Sequence, residues 1–229
     1  MDQQLAIAQA LKYAEELRDL HRAEREQRRA AEQALEHLED SYRKSVQALA
    51  AALELRDDQT GGHATRVTQL ALELTRIAAP ELLSDPQLEF GFLLHDVGKI
   101  GVRDAILLKP GPLDPAEIDE MRNHTLFGER VIEGIPYLSG AASEIVAAHH
   151  ERWDGSGYPN GLTGPQIPLA ARIFAIVDAY DAMTSDRPYR KAMPVEDALA
   201  ELERCAGTQF DPELVRHFVS LVGRAQNAA

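Results

Sequence analysis

Residues 169–184 read LAARIFAIVDAYDAMT. Apolar side chains recur there at helical spacing, with neither Gly nor Pro to interrupt them, so the segment predicts a helix. Asp178 sits inside it. An unpaired carboxylate in an apolar helix is costly, so this residue needs a partner. A polar contact between helices would suffice, and so would a metal ion.

The segments on either side have the same texture. Thr60 is placed to cap a helix running from Gly61 through VTQLALELTRIA. Asp85-Pro86 pairs an N-cap with a proline at the first helical position and opens PQLEFGFLLHD. Asp114-Pro115-Ala116-Glu117 has the form of a capping box and opens a helix through Ile118, Met121 and Phe127. Further helices are predicted over Ser139–His150, Pro194–Arg204 and Pro212–Arg224. No alternation is long enough for a sheet, and there is no internal repeat. Low aromatic content, 6%, beside 45% hydrophobic residues also favours helices. The expected fold class is all-α, a helical bundle over 57–229 carrying a long arm over 1–56.

The arm stretch, 2–56, contains no Gly and no Pro and is dense in Ala, Leu, Glu, Arg and Gln. It predicts one long helix. A heptad frame places Ile7, Ala14, His21, Arg28, Leu35, Tyr42 and Leu49 at one seam position. Ala10, Leu17, Glu24, Ala31, Leu38, Ser45 and Ala52 take the other. The ends are apolar and the middle, HRAEREQRR, is not. A dimeric coiled coil is the expectation. A single solvated helix laced with i,i+4 ion pairs is the alternative.

The formal net charge is −13, which repels nucleic acid and anionic membranes, so neither is expected as a partner. An anionic substrate would need local positive charge. The single cysteine, Cys205, cannot form an internal disulfide. No apolar run approaches the roughly 20 residues of a membrane span, and the first residues carry acids where a signal peptide carries bases. The expected location is the cytoplasm.

Placed on these helices, the histidines and aspartates form a pattern. His63 starts the first helix of the bundle, His95 and Asp96 end the second, His124 lies in the third, His149 and His150 end the fourth, and Asp178 lies in the fifth. Helical bundles build metal sites from ligands projected inward by facing helices. Imidazole and carboxylate without thiolate suit iron, manganese, zinc or nickel. Lys99 follows Asp96 by three residues and returns to its face. An aspartate that bridges two cations, with a lysine beside it, can clamp a phosphate for in-line attack. His21, His37 and His217 fit an ordinary surface or core role.

The segments GGHATRV, HDVGKIGV, NHTLFG, AAHHERWDGSGYPNGL and IPLAARIFAIVDAYDAMTSDRPYR resemble, in order and spacing, the HD-GYP family of bacterial HD-domain phosphohydrolases. The match runs from about residue 57 to about residue 220. The resemblance implies a cyclic di-GMP phosphodiesterase that yields linear pGpG and, in some members, GMP. It implies metal ligands at His63, His95, Asp96, His124, His149, His150 and Asp178, with Asp96 and Lys99 central to catalysis. Lys99 matches the lysine on the scissile phosphate, and Tyr158 the tyrosine that packs on the ligand. Arg187 and Arg190 match basic positions that hold phosphate or guanine. The implied cofactor is a pair of divalent ions, commonly iron or manganese. Members with a third ion carry Glu where this chain has Gln59, a weaker ligand, so two ions and mostly pGpG are expected. Asp154 and a metal-bound water are both candidates for protonating the leaving 3′ oxygen.

Two rival readings remain open on the sequence. One is a module that binds cyclic di-GMP, or partners diguanylate cyclases, without turnover. The other is an HD phosphohydrolase acting on other nucleotides. The arm would join two chains as a homodimer and relay the state of an upstream sensor.

Overall fold

The computed structural model describes residues 2–57, 62–135, 138, 140–186 and 191–228. Thr60, Gly61 and Ser139, expected at helix starts, lie outside these residues, as do Gln59, Arg187 and Arg190. Among the described residues every regular element is a helix, joined by short 3-10 turns. Two isolated bridges, Asp154 to Thr163 and Ala206 to Phe210, are the extent of β pairing described.

Helix α1 spans Asp2–Arg56 without a break. The chain divides into two compact units, Met1–Ser45 and Val46–Ala229. In the first unit Ile7, Leu17, Leu35 and Leu38 are each more than half exposed. Ion pairs such as Arg28 to Glu32 at 2.9 Å and Lys44 to Asp40 at 2.7 Å run along the same stretch. Pairs at this spacing support an isolated helix.

The second unit is built around α8 (Leu169–Thr184), whose bounds coincide with those read from the sequence. Ile173, Phe174, Ile176 and Val177 are fully buried. They pack in one core with Val67 and Leu74 of α2 (His63–Ala78), Phe92 of α3 (Gln87–Leu93) and Ile145 of α7 (Ala141–Ala148). Leu202 of α9 (Val195–Arg204) and Phe218 of α10 (Pro212–Ala228) close it. Phe92 and Phe174 stack with centroids 5.4 Å apart. Each such side chain contributes about 1.5–3 kcal/mol by leaving water, and together they fix α8 as the rigid member on which Asp178 is carried.

Around this core run α4 (Asp104–Leu107), α5 (Pro115–Arg122) and α6 (His124–Glu133). The capping box is present: Glu117 N–H donates to Asp114 Oδ1 at 3.0 Å and Asp114 N–H to Glu117 Oε2 at 2.8 Å. Asp85 Oδ1 accepts from the N–H of Gln87 at 2.9 Å.

Two helices end earlier than the periodicity predicts. The helix opened at Asp114 does not continue through Phe127. It stops at Arg122, where the Asn123 N–H bonds three residues back to Glu120 at 3.2 Å, and α6 starts afresh at His124. The helix opened at Pro86 stops at Leu93, before His95 and Asp96. The chain then tightens into a 3-10 turn, Val97–Gly101, packed on α6. Gly98 permits that approach, since a Cβ there would lie 1.7 Å from the carbonyl oxygen of His124. Packing between these two segments overrides the local apolar period, and both breaks carry metal-type side chains.

Candidate metal centre

The seven side chains expected as ligands gather into two adjoining groups. Asp96, His124, His149 and His150 form one; His63, His95 and Asp178 form the other, and within each the nearest ligand atoms lie within 4.8 Å of one another. Asp96 joins them. Its Oδ2 lies 3.1 Å from His95 Nε2, while its Oδ1 lies 3.4 Å from His124 Nε2 and 3.9 Å from His149 Nε2. Asp96 stands between the groups at the N-cap of the 3-10 turn that follows α3.

Four of the five imidazoles are oriented by their second nitrogen. His95 Nδ1 bonds to Phe92 O at 3.0 Å, His124 Nδ1 to Met121 O at 2.7 Å, and His149 Nδ1 to Val146 O at 3.1 Å. His63 Nδ1 bonds to Asp181 Oδ2 at 2.7 Å. Carbonyl and carboxylate oxygens only accept, so each Nδ1 carries a proton. A neutral ring then has its lone pair on Nε2, the atom facing the other ligands. His124 Nε2 and His149 Nε2 approach to 3.4 Å. Two neutral rings fixed in this tautomer cannot hydrogen-bond to each other, and their facing lone pairs suit a cation.

Buried polar atoms point the same way. His95 Nε2 and Asp96 Oδ1 are shut off from solvent and hydrogen-bond to nothing. Such atoms are costly unless a cation takes up the lone pair. The donors are nitrogen and oxygen throughout, a set that fits a borderline or hard divalent ion. Cys205, the lone thiol, lies beside Glu201 and takes no part.

The electrostatics keep most ligands ready. Burial holds His124 below the usual imidazole range and His149 well below it, and pushes His150 down to about 4, so all three stay neutral at pH 7. Burial opposes ionisation of Asp96, but the charge of Lys99 wins and holds its carboxyl well below the usual range. Asp178 behaves alike, with burial outweighed by its hydrogen bond to His63. His63 is the exception. Burial disfavours its charge, but hydrogen bonds to Asp178 and Asp181 raise it to about 9. Lys99 Nζ lies 2.6 Å from Asp57 Oδ2 and 2.8 Å from Asp96 Oδ2, and these carboxylates outweigh its burial and keep it charged.

A cavity of about 320 Å³ opens beside both groups, lined by His149, His150, Asp178, Tyr158, Arg122 and Arg152 among others. Its lip is the glycine-rich loop after His150. The loop is pinned from inside by buried Glu151, whose carboxylate accepts from Asn160 N at 2.7 Å and Leu162 N at 3.0 Å. Gly157 is needed where the loop crosses its own start: a Cβ there would meet Arg152 N at 2.3 Å. The fold-back stacks Tyr158 on His150, centroids 4.8 Å apart, with Arg122 Cζ 5.2 Å from the Tyr158 ring.

Several functional side chains escaped the sequence reading. Asp181 anchors His63 and is itself held by Arg66 Nε at 2.9 Å. Its signal was available, since it lies three residues after Asp178 and returns to the same helix face. Asp57 and Arg122 carried no such signal. Asp154, considered as a leaving-group acid, is occupied as a loop brace: Ser156 Oγ donates to it at 2.6 Å, and the Ser156 hydrogen bonds lower its pKa, opposite to an acid's need.

Residues 47–214 match the family described as HD domain. Over 195 residues the chain is 40% identical to a cyclic di-GMP phosphodiesterase of Thermotoga maritima, covering 84% of this chain and 53% of that protein. Over 180 residues it is 39% identical to 3'3'-cGAMP-specific phosphodiesterase 3 of Vibrio cholerae, covering 77% of this chain and 38% of that protein. The chain thus spans about half the length of these relatives, or less. The crystal structure of a cyclic GMP-AMP-specific phosphodiesterase of V. cholerae shares the fold, with a TM-score of 0.59 at 23% identity over 78% of this chain and 48% of that one.

Proposed function

Because the chain belongs to the HD domain family, in its HD-GYP branch, we propose that it is a metal-dependent phosphodiesterase that opens cyclic di-GMP, with linear pGpG as its main product. The observation that carries this is the joining of the two ligand groups through Asp96, with His63, His95, His124 and His149 oriented to leave Nε2 for a metal. His63, His95, Asp178 and Asp96 would hold one divalent ion, and Asp96, His124, His149 and His150 the other. Iron or manganese suits the donors, and Gln59 in place of Glu argues for two ions rather than three. When bound, the ions supply Lewis acidity toward the phosphate and promote attack by water.

The chain's own groups do the rest. Lys99 offers its ammonium to the scissile phosphate. Tyr158 gives a guanine a flat face to stack on, and Arg122 stands at the same lip with a fork suited to phosphate or a guanine edge. By resemblance, Arg187 and Arg190 would hold phosphate or guanine. Together they offset the repulsion of a dianion by a chain of net charge −13. Residues 1–56 pair two chains as a parallel coiled coil, which covers Ile7, Leu17, Leu35 and Leu38, and transmit the state of an upstream sensor or cyclase partner.

Incubation of protein loaded anaerobically with Fe(II) or Mn(II) with cyclic di-GMP, followed by chromatography, is expected to give pGpG. No product with either metal would overturn the reading in favour of a binding module. A second substrate, 3'3'-cGAMP, is favoured by the near-equal identity to its phosphodiesterase, and belongs in the same panel.

A further inference from the structure

The last turn of α1 belongs to the second compact unit and reaches the metal centre with three consecutive functions. Glu54 accepts from Gly62 N at 2.8 Å and from Ala64 N, so it caps the helix that begins with His63. Arg56 donates to Lys99 O and Val102 O, each at 2.9 Å, and to Asp104 Oδ1 at 2.7 Å. It thereby takes up carbonyl groups at the end of the Val97–Gly101 turn. Asp57 continues the helical hydrogen bonding, its N–H bonding to Leu53 O at 3.1 Å, and its Oδ2 receives Lys99 Nζ at 2.6 Å.

Lys99 is thus fixed at both ends, its backbone by Arg56 and its ammonium by Asp57. Its other anionic partner is Asp96 Oδ2, an oxygen that also faces His95. Asp96 is proposed above as the ligand shared by two ions. Once its oxygens serve cations, Asp96 no longer balances the lysine, and two divalent charges repel the ammonium. Asp57 is then the carboxylate that keeps Lys99 beside the ions. Both groups are largely buried, with side-chain exposures of 18% for Lys99 and 15% for Asp57, so solvent screens the contact little.

We propose that Asp57 is the positioning residue for Lys99, and that the last turn of α1 is therefore a working part of the phosphate site rather than the end of a spacer. A shift of that turn moves the lysine, which gives the helix a direct mechanical handle on phosphate recognition. The inference rests on the assignment of Lys99 to phosphate.

The test is a double-mutant cycle with Asp57→Asn, Lys99→Ala and the pair, on manganese-loaded protein. Two readouts are used: kcat/KM for cyclic di-GMP, and the affinity for inorganic phosphate by calorimetry, which needs no turnover. Metal content is counted for each variant. Asp57→Asn is expected to lower both by about tenfold, as loss of an orienting partner does, with two ions still bound. In the Lys99→Ala background it is expected to change either by less than about twofold, and Asp57→Glu is expected to restore part of the loss. An Asp57→Asn effect of the same size in the Lys99→Ala background would overturn the proposal and make Asp57 a stability residue. A wild-type chain that binds phosphate but leaves cyclic di-GMP intact would sink the substrate assignment alone, and the phosphate cycle would still decide the role of Asp57.

Discussion

Metal binding at the His63 group is expected to release a proton, and Asp181 sets how strongly. His63 has Nδ1 2.7 Å from Asp181 Oδ2 and Nε2 3.4 Å from Asp178 Oδ1, and in the metal-free chain it titrates at about 9. Coordination through Nε2 requires the proton there to leave. At pH 7 that displacement costs about 2.7 kcal/mol, two pH units at about 1.36 kcal/mol each. Affinity for the ion at this group should therefore rise roughly tenfold per unit between pH 7 and 9 and then level off. Asp181→Asn removes one of the two carboxylates that raise His63, so its plateau should begin at lower pH. It also loosens the ring, which at the plateau should cost about 10–100-fold in affinity. The two curves should converge toward pH 7 and separate above pH 8. Titration with Mn(II), reading the free ion by electron paramagnetic resonance between pH 6.5 and 8.5, measures both. A wild-type affinity that does not change over that range would refute the proton-displacement argument. Parallel curves for the two proteins would refute the role given to Asp181.

Gly98→Ala places a Cβ 1.7 Å from His124 O and 2.3 Å from Gly128 N; backbone must move, and a loss of about 3 kcal/mol, or roughly 6–12 °C in Tm, is expected by calorimetry. Tyr158→Ala should weaken cyclic di-GMP binding by about 5–150-fold, the value of one stacked base, while Tyr158→Phe keeps most of it; equal affinities for all three proteins would remove the platform role. Burial lowers His150 to about 4 from an unfolded value near 6.5, so the unfolded chain binds the extra proton in that window. The stability tied to its neutral form is complete above pH 6.5 and is lost as pH falls toward 4, by roughly 3 kcal/mol; urea midpoints of metal-free protein at pH 7 and pH 5 test the sign. Removal of residues 1–45 should halve the number of chains per particle in ultracentrifugation, and an unchanged number would show that the arm does not pair them.

Helix content was legible because Gly and Pro punctuate a strong apolar period, and α8 could be bounded at both ends on that ground alone. The two early helix ends were not, because each depends on a long-range contact: Gly98 against His124 O, and the fresh start of α6 at His124. The ligand types could be read because histidine and aspartate are conspicuous within apolar helices. Their division into two groups joined by Asp96 could not, since that residue stands at the N-cap of a 3-10 turn and not within the helix predicted there. The supporting side chains were the least visible. Asp57 and Glu54 look like ordinary acids in a helix of many acids, and Arg122 like a solvated base. Only the placement of the α1 end and of the glycine-rich loop gives them partners.

The most direct test of the account is metal counting on anaerobically purified protein, run beside cyclic di-GMP turnover by the same sample. Two ions per wild-type chain are expected. One ion and no turnover are expected for a chain carrying both His124→Ala and His150→Ala. Three ions per wild-type chain, or full turnover by the doubly substituted chain, would contradict a dinuclear centre built on Asp96.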